Sequence, residues 1–134
     1  MTNQNAFSER ERQPPTVRVG SFSEALRRVK ERMYLDAFRR EDRPQALELC
    51  FIIAEAERLP DGTPMQIGGD KLPSELVREV YGLLQHEHLE MVIENFKKEQ
   101  RELRYKKSYL RTALYNAVFE LERHYINQVN ADGR

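Results

Sequence analysis

Between residues 106 and 129 the chain carries one uninterrupted helical stripe. Leu110, Ala113, Leu114, Ala117, Val118, Leu121 and Tyr125 recur at spacings of three and four, and neither glycine nor proline breaks the run. That period puts all seven side chains on one face of a helix. A helix this long, apolar along one side, is stable only against a body that covers the stripe. The rest of the chain must supply that body.

Four shorter segments can do so. Phe22, Leu26, Val29 and Met33 mark one face of a helix predicted over residues 22–40, capped by Ser21 or Ser23 with Glu24 near its first turn. Arg27, Arg28, Lys30, Glu31 and Arg32 lie mostly off that face. Asp42-Arg43-Pro44 breaks the chain and opens a second helix, which runs to about Leu59. Its middle is apolar nearly all round (Leu47, Leu49, Cys50, Phe51, Ile52, Ile53, Ala54), as in a helix central to a core. Leu59-Pro60-Asp61-Gly62-Thr63-Pro64 stops it. Pro73 opens a third helix, to about Leu84, with Leu76, Val77, Val80 and Leu84 as its apolar set. After a tight junction at Gln85-His86-Glu87 a fourth carries Leu89, Val92, Ile93 and Phe96, then fades in the charged run 97–102. Met65-Gln66-Ile67-Gly68-Gly69-Asp70 is the one stretch able to extend; it is too short for an independent sheet, so at most an isolated bridge is expected. The predicted fold is all-α: about five helices packed around a long C-terminal helix, with at most a very short extended segment near 65–68.

The predicted domain spans residues 21–130. Residues 1–20 read as a flexible tail or linker, because Ser8-Glu9-Arg10-Glu11-Arg12-Gln13-Pro14-Pro15 buries too little apolar surface to offset its ordering entropy. Residues 131–134 are expected to fray. A chain of 134 residues suits one domain with a true core. Lys+Arg and Asp+Glu both number 22, which argues against a surface acting wholly as a nucleic-acid-binding shell while leaving room for a local basic patch. The single cysteine, Cys50, lies in an apolar run and reads as a core residue of a protein in a reducing compartment. No apolar stretch approaches the roughly 20 residues that span a bilayer, and the N-terminus has no signal-peptide pattern. A cytoplasmic protein without a membrane partner is expected.

Catalytic chemistry finds little purchase. Gly68-Gly69 lacks the Lys-Ser/Thr of a phosphate-binding loop. His86-Glu87-His88 lacks the i, i+4 spacing that puts two histidines on one helix face, and His124 is distant; His86 reads as a junction residue, His88 as a surface one. No serine sits in a nucleophile turn. Neither catalytic nor metal-binding residues, cofactor nor small-molecule substrate is assigned, and no enzymatic activity is expected.

The segment 101–111 differs. Arg101, Arg104, Lys106, Lys107 and Arg111 stand against one acid, Glu102, with Tyr105 and Tyr109 interleaved. Basic groups neutralise phosphates, aromatic faces stack on unpaired bases, and a helix N-terminus favours anions. The alternative is plainer: solvated charges before a helix, with Tyr109 packed on the core. A second surface lies on the final helix itself, where Tyr115, Phe119 and Ile126 fall away from the Leu110 stripe and offer an apolar face to a protein partner or a second copy.

Several landmarks also follow one another in a familiar order. They are Val29-Lys30-Glu31-Arg32-Met33-Tyr34-Leu35-Asp36, Ala46-Leu47-Glu48-Leu49, Ile67-Gly68-Gly69-Asp70 with Pro73-Ser74-Glu75-Leu76-Val77, Lys107-Ser108-Tyr109-Leu110 with Ala113-Leu114-Tyr115-Asn116-Ala117, and His124-Tyr125-Ile126-Asn127. Over about residues 25–133 this resembles the C-terminal domain of unknown function of replication-initiator-like helix-turn-helix proteins from plasmids and integrative elements of Gram-positive anaerobes. The chain departs from that pattern at Tyr105 (an Asn helix cap in the family), at Val118 (a Pro) and at Gly69 (an Asp). The resemblance implies a role beside replication or maintenance of a mobile element, with DNA or a replication protein as partner. The winged-helix domain that reads DNA in such proteins is not in this sequence. A similarity to DnaD-like primosomal domains is one of layout only, since the chain has no Trp.

Overall fold

The structure, a computed structural model, describes residues 19–99 and 105–132, apart from the side chains of residues 19–20, 124–125 and 130–132. Five helices make up most of it: α1 (Val19–Arg32), α2 (Arg43–Arg58), α3 (Ser74–Tyr81), α4 (His86–Lys98) and α5 (Lys106–Asp132). The all-α prediction and the long final helix hold. Helix α5 passes unbroken through Val118 and takes in Ala131 and Asp132, where fraying was expected. The N-terminal tail predicted over residues 1–20 lies outside the described residues up to position 18, and α1 begins at Val19, so Ser21 and Ser23 sit inside the helix rather than capping it.

Helix α2 is the hub, touching α1, α3, α4 and α5. Its nearly continuous apolar surface explains why: Ala46, Leu49, Cys50, Ile52, Ile53, Ala54 and Ala56 are all buried, facing different neighbours. Against it lie Val29 of α1 and Met33 just after it, Val77 and Tyr81 of α3, Leu89 and Ile93 of α4, and Leu110, Leu114, Ala117 and Val118 of α5 in one cluster. The Tyr81 hydroxyl donates to the Arg111 carbonyl at 2.7 Å, joining α3 to α5.

Two expectations need correction. The first helix does not reach Arg40. It ends at Arg32; Tyr34 takes a left-handed conformation (φ 52°), and two 3₁₀ turns, Leu35–Ala37 and Arg40–Asp42, carry the chain to α2. The bend turns Phe38 into the core, and Arg43 holds it by donating to the Phe38 and Asp36 carbonyls at 3.2 and 3.1 Å. Nor is the extended stretch an isolated bridge. Strands β1 (Pro64–Ile67) and β2 (Asp70–Pro73) form an antiparallel hairpin, with Met65 opposite Leu72 and Ile67 opposite Asp70. Gly68-Gly69 is its two-residue turn, with the positive φ (60°) at the first glycine. The hairpin survives at this length because Met65 and Ile67 are buried and β1 packs on α5.

The α3–α4 junction also departs from prediction. Helix α3 stops at Tyr81, and α4 starts at His86 with Gln85 as its N-cap. His88, expected at the surface, is only 8% exposed. It closes a capping box: the Gln85 N–H donates to His88 Nδ1 at 2.9 Å, while the Gln85 side chain accepts from the His88 N–H. His86 is a junction residue as expected, its Nδ1 lying 2.7 Å from the Met33 carbonyl.

Candidate functional site

The described residues of the two surfaces singled out in the sequence lie on α5 or, for Tyr105, immediately before it. Of the basic segment, Arg101 and Arg104 fall outside the described residues. Tyr105 stands at the start of α5, 70% exposed. Lys106 and Lys107 reach across to α2, where Lys106 pairs with Glu48 at 3.0 Å and Lys107 with Glu55 at 2.8 Å. Lys106 also lies 5.1 Å from the centre of the Phe96 ring. Tyr109 is half-buried, packs on the core and meets Phe96 with ring centres 6.1 Å apart. Arg111 is half-buried. Two of the cations are thus neutralised by acids from a distant helix, and Tyr109 takes the packing role rather than offering a free face.

The apolar face is more open. Buried residues of α5 end at Val118, and the described side chains from Glu122 to Val129 are exposed. Phe119 is 43% exposed, Ile126 53% and Val129 68%. Tyr115 differs from the prediction in degree: it is partly buried against the core, with its ring 5.6 Å from that of Phe119. Tyr115, Phe119, Glu122, Ile126 and Val129 follow one another at spacings of four and three, so they form one strip along the helix. Val129 was not singled out in the sequence, although its spacing from Ile126 carries the same signal.

A second feature escaped the sequence reading. Between α4 and α5 runs a groove of about 450 Å³, bordered by Gly68 of the hairpin turn and by residues including Met91, Asn95, Thr112, Ala113, Asn116 and Glu120. The Gly68 N–H donates to Thr112 Oγ1 at 2.9 Å and fixes the hairpin to α5 at that point.

Elsewhere the chemistry is structural. Among the described residues no group of three or more His, Cys, Asp or Glu converges as metal ligands would. Cys50 is fully buried, and burial pushes its thiol up to about 11 despite the nearby charges of Lys30 and Arg32. That is far from the electropositive, accessible setting of a reactive thiol. Among the described residues no helix is long and apolar enough to cross a membrane.

Residues 37–134 match a family of unknown function (DUF6017). No curated protein and no solved structure matches the chain.

Proposed function

The chain belongs to that family of unknown function, whose match starts at position 37 and covers most of the domain, and from this premise we propose that the domain is a non-enzymatic docking module that works through the outer strip of α5. The observation that carries the reading is the strip itself. Phe119, Ile126 and Val129 are exposed and follow the last buried residue of α5, Val118; Phe119 meets the Tyr115 ring one turn back and leaves much of its own surface open. Large apolar side chains grouped on one surface mark protein contacts more often than isolated ones do. The first partner to test is a second copy. Sedimentation velocity over a concentration series reads the association of the wild type, and of the double variant Phe119→Ser, Ile126→Ser. A concentration-dependent shift that the double variant abolishes supports self-association. If the wild type stays monomeric and crosslinking in cells captures nothing through this strip, the reading fails.

The setting we propose is replication or maintenance of a plasmid or mobile element, which rests on the ordered landmarks from Val29 to Asn127. A second reading, weak nucleic-acid contact at the start of α5, is favoured by the exposed Tyr105 beside a helix N-terminus. The ion pairs of Lys106 and Lys107 with α2 reduce the field available there. Salt-dependent fluorescence anisotropy with single- and double-stranded DNA tests it. Binding that is absent at low salt, or unchanged when Arg104, Lys106, Lys107 and Arg111 are replaced by Ala, removes it.

A further inference from the structure

The α4–α5 groove has a pattern that its volume alone does not convey. Ser108, Thr112, Asn116 and Glu120 are spaced four apart along α5 and all border it, so one wall is a row of short hydrogen-bonding side chains about 18 Å long at 1.5 Å per residue. Beside that row run Tyr109, Ala113 and Ala117, also four apart, which with Met91 and Val92 of α4 make an apolar floor. The two alanines keep the floor open where larger residues would fill it. Asn95 of α4 faces the row from the opposite wall. Among the described residues the side chains of Asn95, Ser108, Asn116 and Glu120 make no hydrogen bond or ion pair, so their groups are available to an occupant. Among the described residues the lining contains one charged residue, Glu120, and no lysine or arginine.

We infer that this groove binds an extended peptide segment of a partner protein, one that carries an apolar anchor and a lysine or arginine. The charge favours a basic peptide over a nucleic acid, whose phosphates would meet the Glu120 carboxylate and, among the described lining residues, no cation. The amides and hydroxyls suit a peptide backbone, which presents N–H and C=O groups at regular intervals. The length suits about five or six extended residues at roughly 3.3 Å each. Alternate side chains then reach the floor, and a basic residue at one end meets Glu120. This surface is distinct from the outer strip and stands without it.

The test is a random heptapeptide display library selected against the full chain, followed by anisotropy with the enriched peptides. Enrichment of sequences with an apolar residue and an Arg or Lys is expected. Their binding should weaken about 5- to 10-fold in Glu120→Lys, from loss of one partly exposed ion pair together with charge repulsion, and also fall in Asn116→Ala. The Phe119→Ser, Ile126→Ser variant should bind them as the wild type does, which separates this site from the strip. No enrichment, an acidic consensus, binding indifferent to Glu120→Lys and Asn116→Ala, or single-stranded DNA competing the peptides away would each overturn the inference.

Discussion

The capping box at the start of α4 makes the domain's stability depend on one histidine remaining neutral. His88 Nδ1 accepts the Gln85 N–H at 2.9 Å, and an imidazole can accept there only while that nitrogen is unprotonated, so the ring carries its proton on Nε2. Burial holds the His88 pKa below the ordinary histidine value, and the opposing pull of the Glu87 carboxylate does not reverse it. The sign follows. Above about pH 6.5, the ordinary value, folded and unfolded chains both have a neutral ring, and the contribution is fully present. As the pH falls below that, the unfolded chain takes up a proton that the folded chain refuses. Stability then drops by up to about 1.4 kcal/mol per pH unit until the depressed folded value is passed. Loss of a cap acceptor alone corresponds to about 0.5–2 kcal/mol. The perturbation is His88→Gln: glutamine is a usual partner at this position of a capping box, can accept the same N–H, and does not titrate. Urea unfolding followed by circular dichroism from about pH 8 to about pH 5, across the histidine range, should show the variant within about 1.5 kcal/mol of the wild type at the alkaline end, the range expected when the buried ring is exchanged for a side chain of similar bulk. It should lose less stability on acidification. His86→Gln is the control, because His86 sits at the same junction but takes no part in the capping box, its Nδ1 lying 2.7 Å from the Met33 carbonyl. Parallel pH profiles for the wild type and His88→Gln, or a wild type that gains stability in acid through this residue, would refute the reasoning.

Three further outcomes are expected. Leu114→Ala removes a fully buried side chain from the α5 stripe and should cost about 2–5 kcal/mol in urea unfolding, whereas Phe119→Ala on the exposed strip should stay within about 1 kcal/mol. Cys50, with its thiol pushed up to about 11, should resist a thiol-specific disulfide reagent in the native state and react fully in denaturant; rapid native labelling would contradict its burial. Gly68→Ala forces a β-carbon into a positive-φ position at the hairpin turn and should lower stability by about 1–2 kcal/mol, measured by thermal unfolding; since the added carbon meets Thr112 Cγ2 only at 3.9 Å, backbone conformation rather than a clash accounts for the loss.

What the sequence made legible was whatever repeats. The α5 stripe holds one period long enough to be unambiguous, and Leu110, Leu114, Ala117 and Val118 are buried as it requires. Prolines at positions 44, 60, 64 and 73 marked breaks that fall close to the observed ones. Single-residue devices were illegible. Nothing in the apolar spacing of the first helix signals that Tyr34 will adopt a left-handed conformation and end the regular structure there, a role usually left to glycine or asparagine. His88 replaces the Glu or Gln that would have flagged a capping box, so its burial went unread. Gly68-Gly69 lacks the residues of a phosphate loop, and nothing beside the pair in sequence shows that it is a hairpin turn.

The surface of α5 follows a harder rule, because its chemistry depends on which helix lies opposite. Lys106 and Lys107 read as free cations within their own segment. Their partners, Glu48 and Glu55, sit over fifty residues earlier and seven apart on α2, two turns along one face, matching neither the adjacency nor the spacing of the lysines in sequence. The Ser108–Glu120 row was visible as a four-residue repeat, yet it became the wall of a groove only once α4 placed Met91, Val92 and Asn95 across from it. The same geometry that reduces the basic segment's field therefore opens a site with the opposite charge a few turns along the same helix. Reversing Glu120 and removing Lys106 and Lys107 should consequently act on separate ligands, which is the sharpest way to tell a peptide-docking helix from a nucleic-acid-binding one.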